Sequence, residues 1–235
     1  MSDHAQSSPA TAAQAAPASA PSVPAVPDVP TWKLLTVLGG GGAFAGLIIV
    51  LAYQASQPRI QAHKAEVLKA SVQEVLGAPE KWETLYRVGD SLTTKVPAGT
   101  DATKLERVYA GWRADGTRVG FAIVAAEPGF ADDIKLIFGF DAEKQQILGF
   151  KVIENKETPG LGDAIEKKES FSKQFVGKTA PVIGIKKGVA PRKPANEIES
   201  ITGATISSAA VVRIINHAVE RWTPLLRAWH EEVPK

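Results

Sequence analysis

The stretch Ser200-Ile201-Thr202-Gly203-Ala204-Thr205-Ile206-Ser207-Ser208 stands directly before a long amphipathic run near the C-terminus. Apolar and polar residues in this run alternate with the 3.6-residue period of an α-helix. The apolar face comprises Val211, Ile214, Ile215, Ala218, Val219 and Trp222, and the polar face comprises Arg213, Asn216, His217, Glu220 and Arg221. The pattern predicts a long helix that begins at a hydroxyl-rich, glycine-containing turn.

The start of this helix has two interpretations. The first turn of a helix has unpaired backbone N–H groups and the positive end of the helix dipole, so it stabilises a phosphate without any Lys or Arg. The plainer interpretation is that a Thr or Ser merely caps the helix. This segment alone leaves both open.

A second informative stretch, Glu157-Thr158-Pro159-Gly160-Leu161-Gly162, lies upstream. Pro159 fixes one backbone dihedral, while Gly160 and Gly162 tolerate positive φ, so a rigid turn can bring backbone N–H groups close to a flat ring. Taken alone, the loop is also compatible with an ordinary tight turn after a strand.

The two stretches together resemble a known family. Thr202 to Ser208 resembles the flavinylation motif of the FMN-binding domains in the G subunit of the Rnf electron-transport complex and the C subunit of the sodium-pumping NADH:quinone reductase. The ETPGLG loop is identical to that of the family, and Phe171 to Lys178 also resembles family sequence. The resemblance covers roughly Leu105 to Trp222 and the membrane anchor before it.

The resemblance implies that FMN is bound covalently, through a phosphoester to Thr205. A separate flavin transferase, using FAD and a divalent metal, would make this bond, so the chain would be its substrate and carries no catalytic residue of its own. Thr202, Ser207 and Ser208 also offer hydroxyls, and the choice of Thr205 rests on the motif. The other cofactor-binding residues implied are Glu157, Thr158, Pro159, Gly160, Leu161 and Gly162 in the loop, and Thr202, Gly203, Ala204, Ile206 and Ser207 at the helix start.

The chain departs from the family pattern just before the Thr motif, where Glu199 or Ser200 replaces a common Asp, and again upstream of the ETPGLG loop. Relatives often carry a Gly-Tyr-x-Gly element where this chain has Gly129-Phe130-Ala131-Asp132. Flavin contacts from this stretch are therefore left open.

The function implied is that of an electron carrier, the G subunit of an Rnf-type ion-translocating ferredoxin–NAD oxidoreductase complex. Its partners would be the other membrane and peripheral subunits of the complex, the flavin transferase during maturation, and membrane lipid. The alternatives are the C subunit of the sodium-pumping quinone reductase and a membrane-tethered binding module whose Thr motif is never modified.

Composition limits the other functions. The chain has 235 residues and a formal net charge of +2, which argues against nucleic acid as a partner. It has no cysteine, which excludes thiol chemistry and Cys-ligated iron–sulfur clusters within this chain. The His residues are scattered, and no metal site is predicted.

The N-terminal part predicts a tail and an anchor. Residues 1–30 are dominated by Ala, Pro and Ser and are predicted to be disordered. No charged residue occurs from Leu34 to Pro58, and residues 31–56 are predicted to form one transmembrane helix. A cleaved signal peptide is the competing interpretation, but the span is long and no clear cleavage site follows it.

The charge distribution and the family resemblance indicate opposite orientations of the anchor in the membrane. Lys33 precedes the span, while Arg59, Lys64 and Lys69 follow it, which by the positive-inside rule places the C-terminal domain in the cytoplasm. The family resemblance implies the reverse: a single-pass protein of the bacterial cytoplasmic (inner) membrane with its flavin domain on the outer, periplasmic side. We follow the resemblance, because long domains translocate despite a weak charge bias.

The rest of the chain predicts an α+β fold. Residues 57–104 are predicted as a helical linker, broken by Gly77-Ala78-Pro79, and the start of the soluble domain; residues 105–235 are predicted as the FMN-binding domain. Strands are expected at residues 105–113, 117–126, 134–140, 147–154 and 182–186, and a helix at 165–175. The predicted architecture is a twisted, largely antiparallel sheet with helices packed on it.

A small basic loop precedes the Thr motif. Lys186, Lys187, Arg192 and Lys193 are interrupted by prolines. A solvated loop is the favoured interpretation, with a docking patch as the alternative.

Overall fold

The computed structural model describes residues 30–189 and 195–229. The predicted disordered tail, apart from Pro30, lies outside the described residues, as do Arg192 and Lys193 of the basic loop.

The first helix is one continuous element of 45 residues, α1 (Thr31–Val75), with Pro58 inside it. It is long and apolar enough to cross a membrane. The chain divides into two compact units at Ser56/Gln57, so the last part of α1 belongs to the same unit as the folded domain. The predicted break is confirmed: the helix ends at Val75, and Gly77 (φ 68°) and Ala78 (φ 56°) both adopt positive φ.

A six-stranded sheet, in which all paired neighbours are antiparallel, forms the centre of the domain. Its strands are β1 (Lys81–Val88), β2 (Ser91–Thr93), β3 (Arg107–Trp112), β4 (Arg118–Pro128), β5 (Asp133–Asp141) and β6 (Gln146–Glu154), in the order β2-β1-β3-β4-β5-β6. The predicted antiparallel sheet is confirmed, and Gly116 (φ 80°) lies in the turn between β3 and β4. The sheet begins before residue 105, because β1 pairs along its length with β3.

One face of the sheet is covered by the long C-terminal helix α4 (Thr205–Ala228). The predicted apolar face of this helix is confirmed, since all six of its residues are buried. They join a single core with Phe121, Phe138 and Phe140 of the sheet. This packing holds the start of α4, and with it Thr205, at a defined position on the domain.

The other face of the sheet receives the end of α1. Val72, Val75 and Leu76 pack there against Tyr109, Ala122 and Ile137 in a second, smaller core. The backbone of Val75 approaches so closely that a Cβ at Gly149 would lie 2.7 Å from the Val75 carbonyl oxygen, and one at Gly139 would lie closer still. Gly139 and Gly149 are paired directly across β5 and β6, and because neither has a side chain, the end of α1 can pack closely on the sheet here.

The segment between β6 and α4 differs from its prediction. The helix expected at 165–175 is broken into α2 (Ala164–Lys167), α3 (Glu169–Ser172) and a 3-10 turn (Lys173–Phe175), because Lys168 between the two helices is extended (φ −89°, ψ 98°). The strand expected at 182–186 is β7 (Ile183–Ile185), which pairs in parallel with β8 (Glu197–Glu199) in a small separate sheet.

Candidate functional site

Thr205 is the first residue of α4, and it is exposed. The cap position is Ala204, which has no side-chain oxygen to accept a hydrogen bond from the helix start. Within the described residues, the backbone N–H groups of Thr205, Ile206 and Ser207 donate to no acceptor. The first turn therefore presents unpaired donors and the positive end of a 24-residue helix.

The hydroxyl groups around this turn do not cap it. Ser208 Oγ accepts a hydrogen bond of 3.1 Å from the backbone N–H of Ile201, which lies before the helix. The hydroxyls of Thr202 and Thr205 form no hydrogen bond with any described residue. The interpretation that a Thr or Ser merely caps the helix is wrong, since the end of the helix is left open and the Thr205 hydroxyl is free.

The ETPGLG loop lies beside this helix start. Its turn is closed by a 3.1 Å hydrogen bond from the Leu161 N–H to the Thr158 carbonyl, and Gly160 adopts φ 78° within it. Leu161 of the loop lies next to Gly203 of the Thr motif: a Cβ added at Gly203 would be 3.5 Å from Leu161 Cδ2. The two motifs, about forty residues apart in the chain, thus form one surface.

Glu157 joins three segments of this surface. Its Oε2 accepts a 2.6 Å hydrogen bond from Ser207 Oγ in the first turn of α4. Its Oε1 accepts hydrogen bonds of 2.9 and 3.1 Å from the backbone N–H groups of Phe130 and Ala131. The side chain is buried, with only 4% of the residue exposed. The carboxylate therefore fixes the loop, the helix start and the 129–132 turn to one another.

The charge on Glu157 is stabilised by these donors. Burial raises the pKa of this carboxyl, but the Ser207 hydroxyl and the N–H groups of Ala131 and Phe130 act in the opposite direction and prevail, so its pKa lies below the ordinary value. The site thus holds a buried negative charge immediately beneath the loop at neutral pH.

Two glycines make room for the Glu157 carboxylate. A Cβ at Gly162 would lie 2.5 Å from Glu157 Oε2 and 2.9 Å from Ser207 Oγ, and one at Gly129 would collide with Glu157 Oε1. A further ion pair, 2.8 Å from Lys156 Nζ to Asp132 Oδ2, ties the same turn to the residue before Glu157. The Gly129-Phe130-Ala131-Asp132 stretch is thus part of the site's framework, although it lacks the family's Gly-Tyr-x-Gly pattern.

Comparison with known proteins identifies this arrangement. Residues 129–220, which include the 129–132 turn, the ETPGLG loop and the Thr motif, match the model of the FMN-binding domain family. The chain is 29% identical over 188 residues to the G subunit of the ion-translocating oxidoreductase complex of Methanosarcina acetivorans, an alignment that covers 80% of this chain and 92% of that protein. Residues 129–220 thus match an FMN-binding domain, and the chain as a whole is similar to G subunits of ion-translocating oxidoreductase complexes.

Another relative is similar in sequence, and a solved structure is similar in fold. The chain is 32% identical over 129 residues to the G subunit of the proton-translocating ferredoxin:NAD(+) oxidoreductase complex of Clostridium ljungdahlii, covering 52% of this chain and 66% of that one. The crystal structure of the C subunit of the Na(+)-translocating NADH-quinone reductase from Parabacteroides distasonis has the same fold, with a TM-score of 0.57, 18% identity, and coverage of 73% of this chain and 97% of that one.

The surface residues of this FMN-binding domain suit a phosphate joined to a flat, apolar ring. Unpaired N–H groups at the start of α4 match the phosphate. Phe130, Leu161 and Ile206, which lie in the three segments that Glu157 joins, expose 64%, 53% and 59% of their surface. Thr158, Pro159, Gly160, Thr202 and Gly203 are exposed here as well.

The other predicted cofactor-binding residues lie inside the FMN-binding domain. Gly162, Ala204 and Ser207 are buried, and the Ser207 hydroxyl is used by Glu157. Both carboxylate oxygens of Glu157 already accept hydrogen bonds from the protein, so the structure gives it a positioning role. Direct contact of these four residues with flavin stays a prediction.

Sequence reasoning missed two supports of the candidate site. Gln174, in the family-like stretch from Phe171 to Lys178, accepts a 2.7 Å hydrogen bond from the Glu199 N–H and so holds β8 just before the Thr motif. Asn216, assigned only to the polar face of α4, donates to the Val182 carbonyl and accepts from its N–H, both at 2.8 Å. A lone Gln or Asn in a sequence carries no signal for such pairing.

No cluster that could hold a metal occurs among residues 30–189 and 195–229.

Proposed function

We propose that this chain is the electron-carrying G subunit of a membrane complex that couples electron transfer between ferredoxin and NAD(H) to ion translocation. Support comes from the match to the FMN-binding domain family and from relatives that are subunits of ion-translocating oxidoreductase complexes, one of them a proton-translocating ferredoxin:NAD(+) oxidoreductase. Bound FMN supplies the redox chemistry, since flavin exchanges one or two electrons and relays between centres of either kind.

The cofactor, in this proposal, is FMN esterified through its phosphate to Thr205. The observation that carries it is the free, exposed Thr205 hydroxyl at an uncapped helix start. A flavin transferase would catalyse attack of Thr205 Oγ on the FMN phosphorus of FAD. The new O–P bond forms as the diphosphate bond breaks, AMP leaves, and the hydroxyl proton passes to a base on the transferase.

The residues of the chain then have distinct roles. The open N–H groups of the first turn stabilise the phosphate diester, whose single negative charge matches the helix dipole. Leu161, Ile206 and Phe130 shield the apolar part of the ring from water. Glu157 holds the loop and the helix start at a constant separation, so the tethered group keeps a fixed position for its redox partners.

Mass spectrometry of the intact protein and its peptides tests the covalent bond. We expect wild-type chain co-expressed with a flavin transferase to gain the mass of FMN less water on the peptide that contains Thr205, and Thr205→Ala to gain none. Thr202→Ala is the matched control, because it removes an exposed hydroxyl three residues away and should leave the labelling intact. An unlabelled wild type, with the transferase labelling a control protein, would favour the unmodified binding module.

The C subunit of the sodium-pumping quinone reductase is the second candidate. It is supported by the shared fold, whereas both sequence relatives named above are G subunits, which makes the G subunit the preferred assignment. Purification of the tagged chain from its native membrane distinguishes the two. Co-purification of iron–sulfur subunits that oxidise ferredoxin supports the first candidate, and co-purification of an NADH:quinone reductase supports the second.

The membrane anchor and its orientation are further parts of the proposal. We propose that α1 crosses the inner membrane once and that the flavin domain lies on the periplasmic side. Because the chain has no cysteine, a single Lys104→Cys substitution creates one labelling site. Reaction with a membrane-impermeant maleimide in cells with a permeabilised outer membrane is expected; labelling only after lysis would place the domain in the cytoplasm.

A further inference from the structure

A cavity of about 610 Å³ lies between the C-terminal part of α1 and the sheet face opposite α4. Its walls include Leu68, Trp82, Tyr109 and Ile153. The rings of Trp82 and Tyr109 meet edge to face, with centroids 5.5 Å apart, and form a firm aromatic wall. The volume is in the range of sites for small amphipathic molecules.

The polar part of this cavity is strongly basic. Four cations line it, Lys64, Lys69, Arg107 and Lys135, against one carboxylate, Glu154. Glu154 is 3.5 Å from Lys64. Within residues 30–189 and 195–229, the other three cations form no ion pair. The cavity therefore combines an apolar wall with an excess of positive charge that no carboxylate of the described residues neutralises.

Tyr109 adds a hydroxyl group to the lining of the cavity. The residue is only 3% exposed and lines the cavity, yet its hydroxyl forms no hydrogen bond with any described residue. Among the described residues, Asn196 Oδ1 is the one buried side-chain polar atom without a partner, so the Tyr109 hydroxyl is accessible in the cavity that the residue lines. Its position between Arg107 on the same strand and the apolar wall suits a donor to the phosphate of a bound molecule.

The cavity also lies close to the apolar segment in the chain. Gln61, its first lining residue, follows Pro58, the last residue of the uncharged stretch, by three positions. Even a fully extended chain spans only about 10 Å over three residues. If α1 crosses the membrane, as proposed above, the cavity is within reach of lipid headgroups.

We propose that this cavity is a binding site for one anionic phospholipid, with the phosphate among Arg107, Lys135, Lys69 and the Tyr109 hydroxyl, and the upper part of an acyl chain against Leu68, Trp82 and Ile153. A bound lipid would fill the gap between α1 and the sheet and connect the domain to the bilayer surface. The site is on the face of the sheet opposite α4, so it is separate from the flavin site.

Native mass spectrometry of the full-length chain in detergent micelles tests lipid selectivity. With phosphatidylglycerol and phosphatidylcholine supplied in equal amounts, we expect one bound phosphatidylglycerol, preferred at least tenfold. The double variant Arg107→Glu/Lys135→Glu should lose this preference. The control Lys104→Glu/Lys144→Glu has the same change in charge outside the cavity and should keep it. Equal binding of the two lipids by the wild type, or equal losses in both variants, would overturn the proposal.

Tyr109→Phe provides a second variant that preserves shape. Removing only the hydroxyl should weaken binding of phosphatidylglycerol about tenfold, as expected for loss of a hydrogen bond to a charged group. Unchanged affinity would remove the tyrosine from the site.

Quenching by a phosphatidylglycerol brominated near the headgroup locates the bound lipid. The brominated lipid should quench less tryptophan fluorescence in Trp82→Phe than in the wild type, because the tryptophan beside the lipid is gone. In the Arg107→Glu/Lys135→Glu variant the quenching should fall by the same amount, because the lipid no longer binds. If Trp82→Phe leaves the quenched signal unchanged, the lipid does not occupy the cavity.

Membrane extraction of the chain with alkaline carbonate tests the anchor separately, and flavin labelling of Thr205 is measured independently, so failure of either is distinguishable from failure of the lipid site.

Discussion

The two faces of the central sheet are packed to different extents. The face under α4 joins a core in which Phe121, Phe138 and Phe140 are each at most 1% exposed. The opposite face is covered over only part of its area by the last turns of α1, and Val124, Leu148 and Ile153 there remain half-buried. The dense face supports the helix start and loop of the proposed flavin site, whereas the sparse face leaves a cavity.

The first way to test this comparison is to truncate one large side chain on each face. Phe138→Ala should lower the free energy of unfolding by about 3–5 kcal/mol, because it opens a cavity in a fully packed core. Leu148→Ala on the sparse face should cost less than half as much, since its side chain is already partly in water. Urea unfolding of the full chain in detergent, followed by circular dichroism, measures both. Equal losses would mean that the two faces contribute alike.

A smaller effect is expected where α1 meets the sheet. Gly139→Ala would push a methyl group into the carbonyl of Val75 and should cost about 1–3 kcal/mol. Hydrogen exchange at Val72 to Leu76 should rise, because the helix end is displaced from its seat. Gly184→Ala is the control: its Cβ would lie 3.8 Å from Val212 in ordinary contact. An unchanged exchange rate in Gly139→Ala would show that the close approach does not hold the helix.

On the dense side, Glu157→Gln tests the support of the flavin site. The amide keeps one acceptor oxygen, but its NH2 group replaces the other acceptor and faces a hydrogen-bond donor. We therefore expect Glu157→Gln to lower the free energy of unfolding by about 1–2 kcal/mol at pH 7. The folded pKa of Glu157 is lowered, so its stabilising effect is full above the ordinary glutamate pKa of about 4.3 and is lost as the pH falls through the folded pKa. The difference between wild type and variant should therefore shrink in acid.

The pH series has a matched control and a functional readout. Glu169→Gln changes an exposed carboxylate that pairs with Lys173, and it should have a much smaller effect at every pH. Flavin transfer to Thr205 should be slower in Glu157→Gln than in Glu169→Gln, because only Glu157 joins the loop to the helix start. A difference that persists unchanged at low pH would contradict a role for the Glu157 charge.

The smallest stability effect is expected for Tyr109→Phe. The hydroxyl has no partner among the described residues, so its removal should change the unfolding free energy by less than about 0.5 kcal/mol. Thermal or urea unfolding without added lipid measures this. A large loss would indicate that the hydroxyl has a structural partner, and would weaken the argument that the sparse face keeps it for a ligand.

Much of the architecture was predictable because it follows from local periodicity. The apolar stripe of α4, the alternating strands β3 to β6 and the uncharged run of α1 each follow from the pattern of a single segment. The strands β1 and β2 were missed because the pairing of β1 with β3, and of β2 with β1, is a property of the sheet and not of their own residues. The helix at 165–175 was predicted too long, because its break at Lys168 leaves no mark such as Pro or Gly.

The sequence by itself determined the family motifs, the long amphipathic helix that follows the Thr motif and the absence of thiol chemistry, because each depends on residue identity and short-range spacing. Only the tertiary structure decided that the helix start is uncapped, that Glu157 joins three segments separated by up to 77 residues (130 to 207), and that α1 leaves a basic cavity against the sheet. The reason is physical: a hydrogen bond between distant segments, or a gap between two packed surfaces, exists only after the chain has brought them together.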